Sequence, residues 1–361
     1  MCLLKQISRV FIKRGMPLNL IFFVTSKCNA KCRHCFYWQK INTIKDELSL
    51  LEIEKVAKSA PDLLTVTLTG GEPFLRDNLV EVASIFSRFT KVANLQIPTN
   101  GILTDRIFRT TKNILEVCRK DIRVAVGISI DNLGEKHNQI RQVDGCFEKA
   151  VKTIKKLKEL EKEFSNFRLG NIVTITKDNQ EEVGEIVDFL EKDLGVENVG
   201  VNIIRSEVRD MSLKELDIKH YDNIMFKLRN DFLEKTYKKN PSWIERILSS
   251  RQYYGSRILS RIYSEKKYIT PCYAGNLLAI LKENGDVYPC EMLSNKMGNL
   301  KDFDFNLKKL WFSKKSETVR KKIRKSKCFC TFECAMTSNT LFNPRHLFHI
   351  LIGFFRRKPL S

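Results

Sequence analysis

The placement of the cysteines constrains this chain more than any other feature. Cys28, Cys32 and Cys35 fall within eight residues, and Cys328, Cys330 and Cys334 within seven. Cys272 and Cys290 stand upstream of the second group. Eleven cysteines in 361 residues are too many for an ordinary intracellular protein. Clusters at such short spacing in a long chain point to metal rather than to a disulfide framework. The start carries no signal-peptide pattern, and no apolar run approaches the ~20 residues a membrane-spanning helix needs. The expected compartment is therefore reducing cytoplasm.

Six apolar, β-branched runs recur: Leu18–Thr25, Leu64–Thr69, Val92–Pro98, Val124–Ile130, Ile172–Thr176 and Val199–Ile204. Amphipathic stretches separate them: Leu50–Ala60, Asp77–Phe89, Asp105–Cys118, Phe147–Phe164 and Gln180–Leu194. Such alternation predicts an α/β fold with a parallel sheet and helices outside it. Six units are fewer than the eight of a closed barrel, so the expectation is a partial (βα)6 barrel, like an opened TIM barrel. Residues 206–268 read as a basic helical linker. A small unit at 269–337 opens with a hairpin, Leu277–Leu281 and Asp286–Tyr288 around Asn284-Gly285, a strong turn signal. An amphipathic segment (1–17) and a basic apolar tail (338–361) flank the barrel, 18–205, and these later units.

The first cluster reads Cys28-Asn-Ala-Lys-Cys32-Arg-His-Cys35-Phe, directly after the first strand. Three thiolates on one tight loop can bind three irons of a [4Fe–4S] cube and leave the fourth open. Structural zinc would want four ligands. His34 could supply the fourth, but it sits awkwardly between two cysteines, so iron–sulfur chemistry suits the loop better. The C-x3-C-x2-C loop followed by an aromatic resembles the signature of the radical S-adenosylmethionine (SAM) superfamily. That resemblance implies SAM bound through its amino and carboxylate groups to the open iron. Reductive cleavage of SAM would give a 5′-deoxyadenosyl radical that abstracts hydrogen from a substrate. It also implies an external electron donor such as a flavodoxin or ferredoxin.

Other segments at carboxyl ends of strands fit the same reading; parallel α/β folds place their chemistry there. Gly70-Gly71-Glu72 resembles the GGE motif that contacts the SAM amino group; two glycines allow close backbone approach. Thr99-Asn100-Gly101 resembles a TNG segment, and Ser129-Ile130-Asp131 an SxD element. Arg141 matches an arginine that can grip the SAM carboxylate through two hydrogen bonds. By the resemblance, Gly70, Gly71, Glu72, Asn100, Ser129, Asp131 and Arg141 are the cofactor-binding candidates. The bland alternative for each is a solvated polar turn.

The second group, Cys272, Cys290, Cys328, Cys330 and Cys334, fits C-x12-G-x4-C and then C-x-C-x3-C. It resembles the SPASM and twitch auxiliary-cluster domains, although the full SPASM pattern has seven cysteines and a longer closing run. Five cysteines imply one auxiliary [4Fe–4S] cluster. Cys272 and Cys290 would be joined by two of the last three, and which two stays open; a zinc knot is the alternative. Cys2, Cys118 and Cys146 have no partners at metal spacing, and the last two suit buried apolar positions.

A surplus of 21 positive charges, from 63 Lys+Arg against 42 Asp+Glu, favours anionic partners. A radical enzyme acting on a ribosomally made peptide is the leading expectation, with a lipid or other small molecule as alternative. A non-catalytic electron-transfer or redox-sensing protein would not need the SAM-type elements. The linker interleaves Tyr221, Phe226, Phe232, Tyr237, Trp243, Tyr253 and Tyr254 with basic residues, as nucleic-acid stacking would require. Core packing explains them more cheaply, so nucleic acid is disfavoured. The greasy, basic ends fit peripheral contact with an anionic membrane, but docking on the protein's own core is the simpler reading.

Overall fold

The computed structural model describes residues 15–44, 46–239 and 243–355; side chains at 232–249 and 351–355 are outside the description. Six strands run in parallel in chain order: β1 (Asn19–Thr25), β2 (Thr65–Gly70), β3 (Asn94–Thr99), β4 (Arg123–Ser129), β5 (Phe167–Ile175) and β6 (Asn198–Ile203). Helices cross over between them: α1 (Leu50–Ser59), α2 (Leu79–Phe89), α3 (Thr104–Val117), α4 (Gly134–Arg141), α5 (Cys146–Glu163) and α6 (Val183–Asp188), which runs on as a π-helical turn. The sheet is curved open rather than closed, with β6 at one edge.

Two-residue alternation sets the two faces of this sheet. Leu20, Phe22, Val66, Leu68, Leu95, Ile97, Val124 and Val126 are buried in one core beneath the helices. The intervening positions, among them Thr67, Gln96, Gly127, Ser129, Gly170 and Thr174, line a cavity on the concave side. Local signals fix the helix starts: α1 opens on a capping box in which Ser49 and Glu52 satisfy each other's backbone N–H groups.

Two elements differ from the sequence expectation. The fifth strand begins at Phe167, five residues before the expected Ile172, because Gly170 and Asn171 interrupt its apolar run. Helix α4 was not expected, since Gly134–Arg141 is almost wholly polar; it buries His137, Asn138 and Arg141 beside a single apolar residue, Ile140, rather than an apolar stripe.

Beyond β6, α7 (Ile218–Lys239) and α8 (Trp243–Glu265) form the helical linker. Tyr221 is fully buried there, which favours packing over base stacking. The hairpin forms as expected from β7 (Leu278–Leu281) and β8 (Asp286–Tyr288), with Gly285 at φ +89° in the turn. Its placement was not legible in sequence: β7 pairs in parallel with β1, so the hairpin and β9 (Gly298–Asn299) extend the barrel sheet. Helices α9 (Leu307–Trp311), α10 (Lys314–Lys325), α11 (Glu333–Leu341) and α12 (Pro344–Phe355) follow. The tail helix α12 docks on α8: Tyr254 hydrogen-bonds His346 at 3.0 Å and Ser250 donates to the Ile350 carbonyl. The amphipathic residues 1–14 and the basic Arg356–Lys358 lie outside the described residues. No helix among the described residues is long and apolar enough to cross a membrane.

The turn after β2 backs directly onto the cysteine loop after β1. A Cβ on Gly71 would lie 2.2 Å from the Lys27 carbonyl oxygen, a distance that forces backbone apart. Gly71→Ala is therefore expected to cost about 1–3 kcal/mol and to lower iron retention at the cysteine loop. Gly200→Ala, whose Cβ would meet nothing nearer than 3.7 Å, should keep both. Thermal unfolding and iron analysis of the two variants check this; a wild-type melting temperature for Gly71→Ala would refute the contact.

Candidate active site

The loop from Ser26 to Ile44 is held at several points. Asn42, at φ +60°, accepts from the Cys28 N–H at 2.9 Å and donates back to the Cys28 carbonyl at 3.1 Å. The N–H groups of Lys31 and Arg33 donate to the carbonyls of Arg141 and Ile140 at the end of α4. From the other side, Arg209 and Asp210 donate to the carbonyls of Cys35 and Arg33, and Arg33 pairs with Asp178 and Asp210 at 2.6 Å. Cys28, Cys32 and Cys35 thus face one cavity of about 1830 Å³.

Burial, with added repulsion from neighbouring thiolates, pushes the Cys28 thiol up to about 12 and the Cys35 thiol to about 11. The protein alone keeps these thiols neutral, whereas metal ligation needs them ionised. A cationic iron–sulfur core would supply the missing compensation, so the donor set fits such a group. Among the described residues no three His, Cys, Asp or Glu converge as ligands of one ion would. His34, the alternative zinc ligand, turns its Nε2 to within 3.7 Å of Asp131, and its Nδ1 is buried without a partner.

Glu72 is 1% exposed. Its Oε1 accepts from Thr99 Oγ1 (2.8 Å) and from the Phe74 N–H, and its Oε2 from the Asn100 N–H (2.8 Å). Burial outweighs these bonds and raises its carboxyl to about 7. Asn100 also donates to Asn29 beside Cys28, so the Thr99-Asn100-Gly101 turn fixes both the carboxylate and the cysteine loop. Gly70, Gly71, Glu72, Asn100, Ser129 and Arg141 all line the cavity with the three cysteines.

Asp131 and Arg141 are arranged differently from the sequence expectation. Asp131 is fully buried and does not line the cavity; it accepts from the Thr174 N–H and pairs with the Arg141 guanidinium. Arg141 in turn lies 3.5 Å from the Cys32 sulfur. Its guanidinium is engaged with a buried carboxylate and a candidate ligand before any cofactor arrives. Only its buried Nε lacks a partner.

The later cysteines divide. Cys272 and Cys330 each interact electrostatically with Cys290 and with Cys328, and Cys272, Cys328 and Cys330 line one small pocket. Burial first, then neighbouring thiols, pushes both Cys290 and Cys330 up to about 12. Cys334 stands apart: it opens into the large cavity, near Glu291, Arg205 and Glu333. Cys118 and Cys146 are buried, as expected, and Cys2 lies outside the described residues.

Sequence reasoning missed Arg205. It ends the strand-six segment, pairs with Glu291 (2.9 Å) and Glu333 (3.1 Å), and stacks on both Phe36 and Phe332. Phe36 follows Cys35, and Phe332 lies between Cys330 and Cys334. The arginine therefore bridges the two cysteine regions. The only sequence signal was its place at the carboxyl end of a barrel strand.

Residues 22–190 match the Radical SAM superfamily, and residues 272–335 match SPASM, an iron–sulfur cluster-binding domain. The chain is 34% identical to the antilisterial bacteriocin subtilosin biosynthesis protein AlbA of Bacillus subtilis, over 40% of this chain and 31% of that protein. It is 24% identical to an AdoMet-dependent heme synthase of Methanosarcina barkeri, over 84% of each. The fold resembles that of native anSMEcpe with bound AdoMet and a peptide, with a TM-score of 0.60 at 18% identity, covering 94% of this chain and 96% of that one. The chain spans 31% to 43% of the length of the first three curated relatives it matches. The matched domains imply a [4Fe–4S] cluster with SAM, and an auxiliary iron–sulfur cluster. By these matches and by the geometry of its cysteine loop, residues 22–190 form a radical SAM domain and residues 272–335 a C-terminal SPASM domain.

Proposed function

We propose that this protein uses SAM-derived radical chemistry to modify a ribosomally made peptide in the concave cavity of its open barrel. The observation that carries the reading is the convergence on one cavity of Cys28, Cys32, Cys35, Gly70, Gly71, Glu72 and Asn100. When bound, the cluster and SAM supply a carbon-centred radical able to take hydrogen from an unactivated position. The chain's own residues do the positioning. Cys28, Cys32 and Cys35 hold the cluster; Gly70 and Gly71 keep the backbone low enough for SAM to approach; Glu72 accepts from its ammonium. Asp131 acts as a positioning residue, holding Arg141 against Cys32. Cys272, Cys290, Cys328 and Cys330 hold the auxiliary cluster, which leaves Cys334 as the spare thiol.

The peptide reading is supported by the surplus of 21 positive charges, which suits an acidic leader, and by the size of the cavity. Gly127 and Gly170 sit side by side in the register of β4 and β5, which widens that cavity at mid-height. A relative that acts in bacteriocin biosynthesis and a structural neighbour that holds a peptide point the same way. A tetrapyrrole is the second reading, favoured by the heme synthase that aligns along 84% of both chains. Anaerobic incubation with SAM, a reductant and either a candidate precursor peptide from a neighbouring open reading frame or an iron porphyrin separates the two. The peptide is expected to change mass by whole hydrogens and to raise 5′-deoxyadenosine about tenfold over the uncoupled rate. A rise with the porphyrin alone refutes the peptide assignment.

Reconstituted protein is expected to carry about eight irons, and the Cys28/Cys32/Cys35 triple-Ala variant about four. Single Ala variants at Cys272, Cys290, Cys328 or Cys330 should lose the auxiliary cluster, while Cys334→Ala keeps it. Iron counts and electron-spin-resonance spectra check these assignments; loss of the cluster in Cys334→Ala would return that residue to the ligand set. Glu72→Gln should bind SAM roughly tenfold to a hundredfold more weakly, the worth of about 1.5–3 kcal/mol for a hydrogen bond to a charged group. Equilibrium titration without reductant reads this, and unchanged affinity would remove Glu72 from the SAM site.

A further inference from the structure

Helix α8 contributes Arg251 and Gln252 to the wall of the large cavity. The inward face of this helix is set by the buried Ile258 and Ile262. At 3.6 residues per turn, Arg251 falls within about 20° of both. An amphipathic helix ordinarily carries an apolar side chain at such a position. Here it carries a guanidinium that has nothing to bind. Among the described residues Arg251 makes no hydrogen bond and no ion pair, and its Nε is buried without a partner. Burial lowers its pKa from the usual arginine range, and no acid stands near enough to oppose the shift. The other arginines of the cavity are differently placed. Arg141 and Arg205 are held by carboxylates, and Arg168 donates to backbone carbonyls. Arg123 is exposed at the start of β4. A cation taken out of bulk water with no counter-charge destabilises the fold. Local sequence rules give way like this where a site overrides them.

We propose that Arg251 anchors a carboxylate of the substrate, whose two oxygens match the planar fork of the guanidinium. The inference deepens the reading of the concave cavity as the substrate site, and rests on it. Of the anions that such a fork grips, carboxylate is the one that both candidate substrate classes carry. A peptide offers it on an Asp or Glu side chain or at its C-terminus, and a tetrapyrrole on its propionates. Binding the carboxylate neutralises a charge that the fold leaves unpaired. An analogue that lacks the carboxylate leaves that charge unmet, so the site rejects it. One fixed anchor on the α8 wall also limits which carbon the substrate presents to the SAM site.

The test is equilibrium titration of the reconstituted holoenzyme, with SAM present and reductant absent. Two probe pairs are used. One is a candidate precursor peptide from a neighbouring open reading frame and the same peptide with its carboxyl groups amidated. The other is haemin and haemin dimethyl ester. Wild type is expected to bind one of the two acids about tenfold or more tightly than its blocked form. Arg251→Met, which keeps an unbranched apolar stem against the wall, should lose that preference, and Arg251→Lys should recover part of it. Arg123→Gln removes an exposed arginine of the same cavity and should keep the preference. Because an unpaired charge is removed, Arg251→Met should melt at or above the wild-type temperature with the same iron content. An intact preference in Arg251→Met overturns the proposal. So does an equal loss in Arg123→Gln, which would make the effect one of net charge. A wild type that binds neither acid, or binds acid and blocked forms alike, overturns it as well. A lowered melting temperature in Arg251→Met makes the guanidinium a structural prop and overturns it too. An Arg251-dependent preference for haemin alone upholds the anchor and refutes the peptide assignment. Unimpaired turnover of the peptide by Arg251→Met does the reverse.

Discussion

The contact on which the rest depends is the backbone seam between the cysteine loop and the turn after β2. The Gly71 N–H donates to the Thr25 carbonyl at 2.9 Å, and the Glu72 N–H to the Lys27 carbonyl at 2.8 Å. These bonds continue the β1–β2 ladder past the end of the strands. Gly70, at φ +134°, could not carry a side chain there, since a Cβ would lie 2.1 Å from the Thr25 oxygen. The seam sets the height of Glu72 relative to Cys28 and fixes the floor on which SAM would rest. It is local, made of backbone, and independent of any side chain that chemistry would need to vary.

Electrostatics on either side of the seam follows one logic. Burial disfavours the charged forms of Cys28, Cys35 and Glu72, and the three hydrogen bonds that Glu72 accepts offset this only in part. Arg141 is the exception, held between Asp131 and Cys32. A site built this way is poised for cations: cluster irons for the thiols, an ammonium for the carboxylate. Because burial disfavours the Cys28 and Cys35 thiolates, loading the loop with metal couples to proton release.

The second cysteine region is coupled to the first through the sheet. β7 lies against β1, the strand that delivers the barrel cysteines. Arg205 stacks between Phe36 and Phe332, next to the two cysteine loops. Tyr37 donates to the buried Glu283 at 2.5 Å, and Lys282 covers the rings of Phe23 and Tyr37. The two cysteine regions therefore share one packed wall.

Strand order, the positions of the amphipathic helices and the identity of the first cysteine loop were legible in sequence, because two-residue and 3.6-residue periodicities and short cysteine spacings are local properties. Glu72 and Asn100 were legible for the same reason: both end strands at the rim. The polar helix α4 was not, because it buries charged and amide groups against partners distant in sequence. Nor was the division of the late cysteines. Cys330 and Cys334 are four residues apart, yet one lines the small pocket with Cys272 and Cys328 and the other the large cavity. The start of α11 at Glu333 lies between them and turns their side chains to different sides. The sequence by itself determined which residues could carry iron and SAM. The tertiary structure decided which of them face one another, because that depends on β7 pairing with β1 and on an arginine reaching across two domains, and neither leaves a periodic trace in the chain.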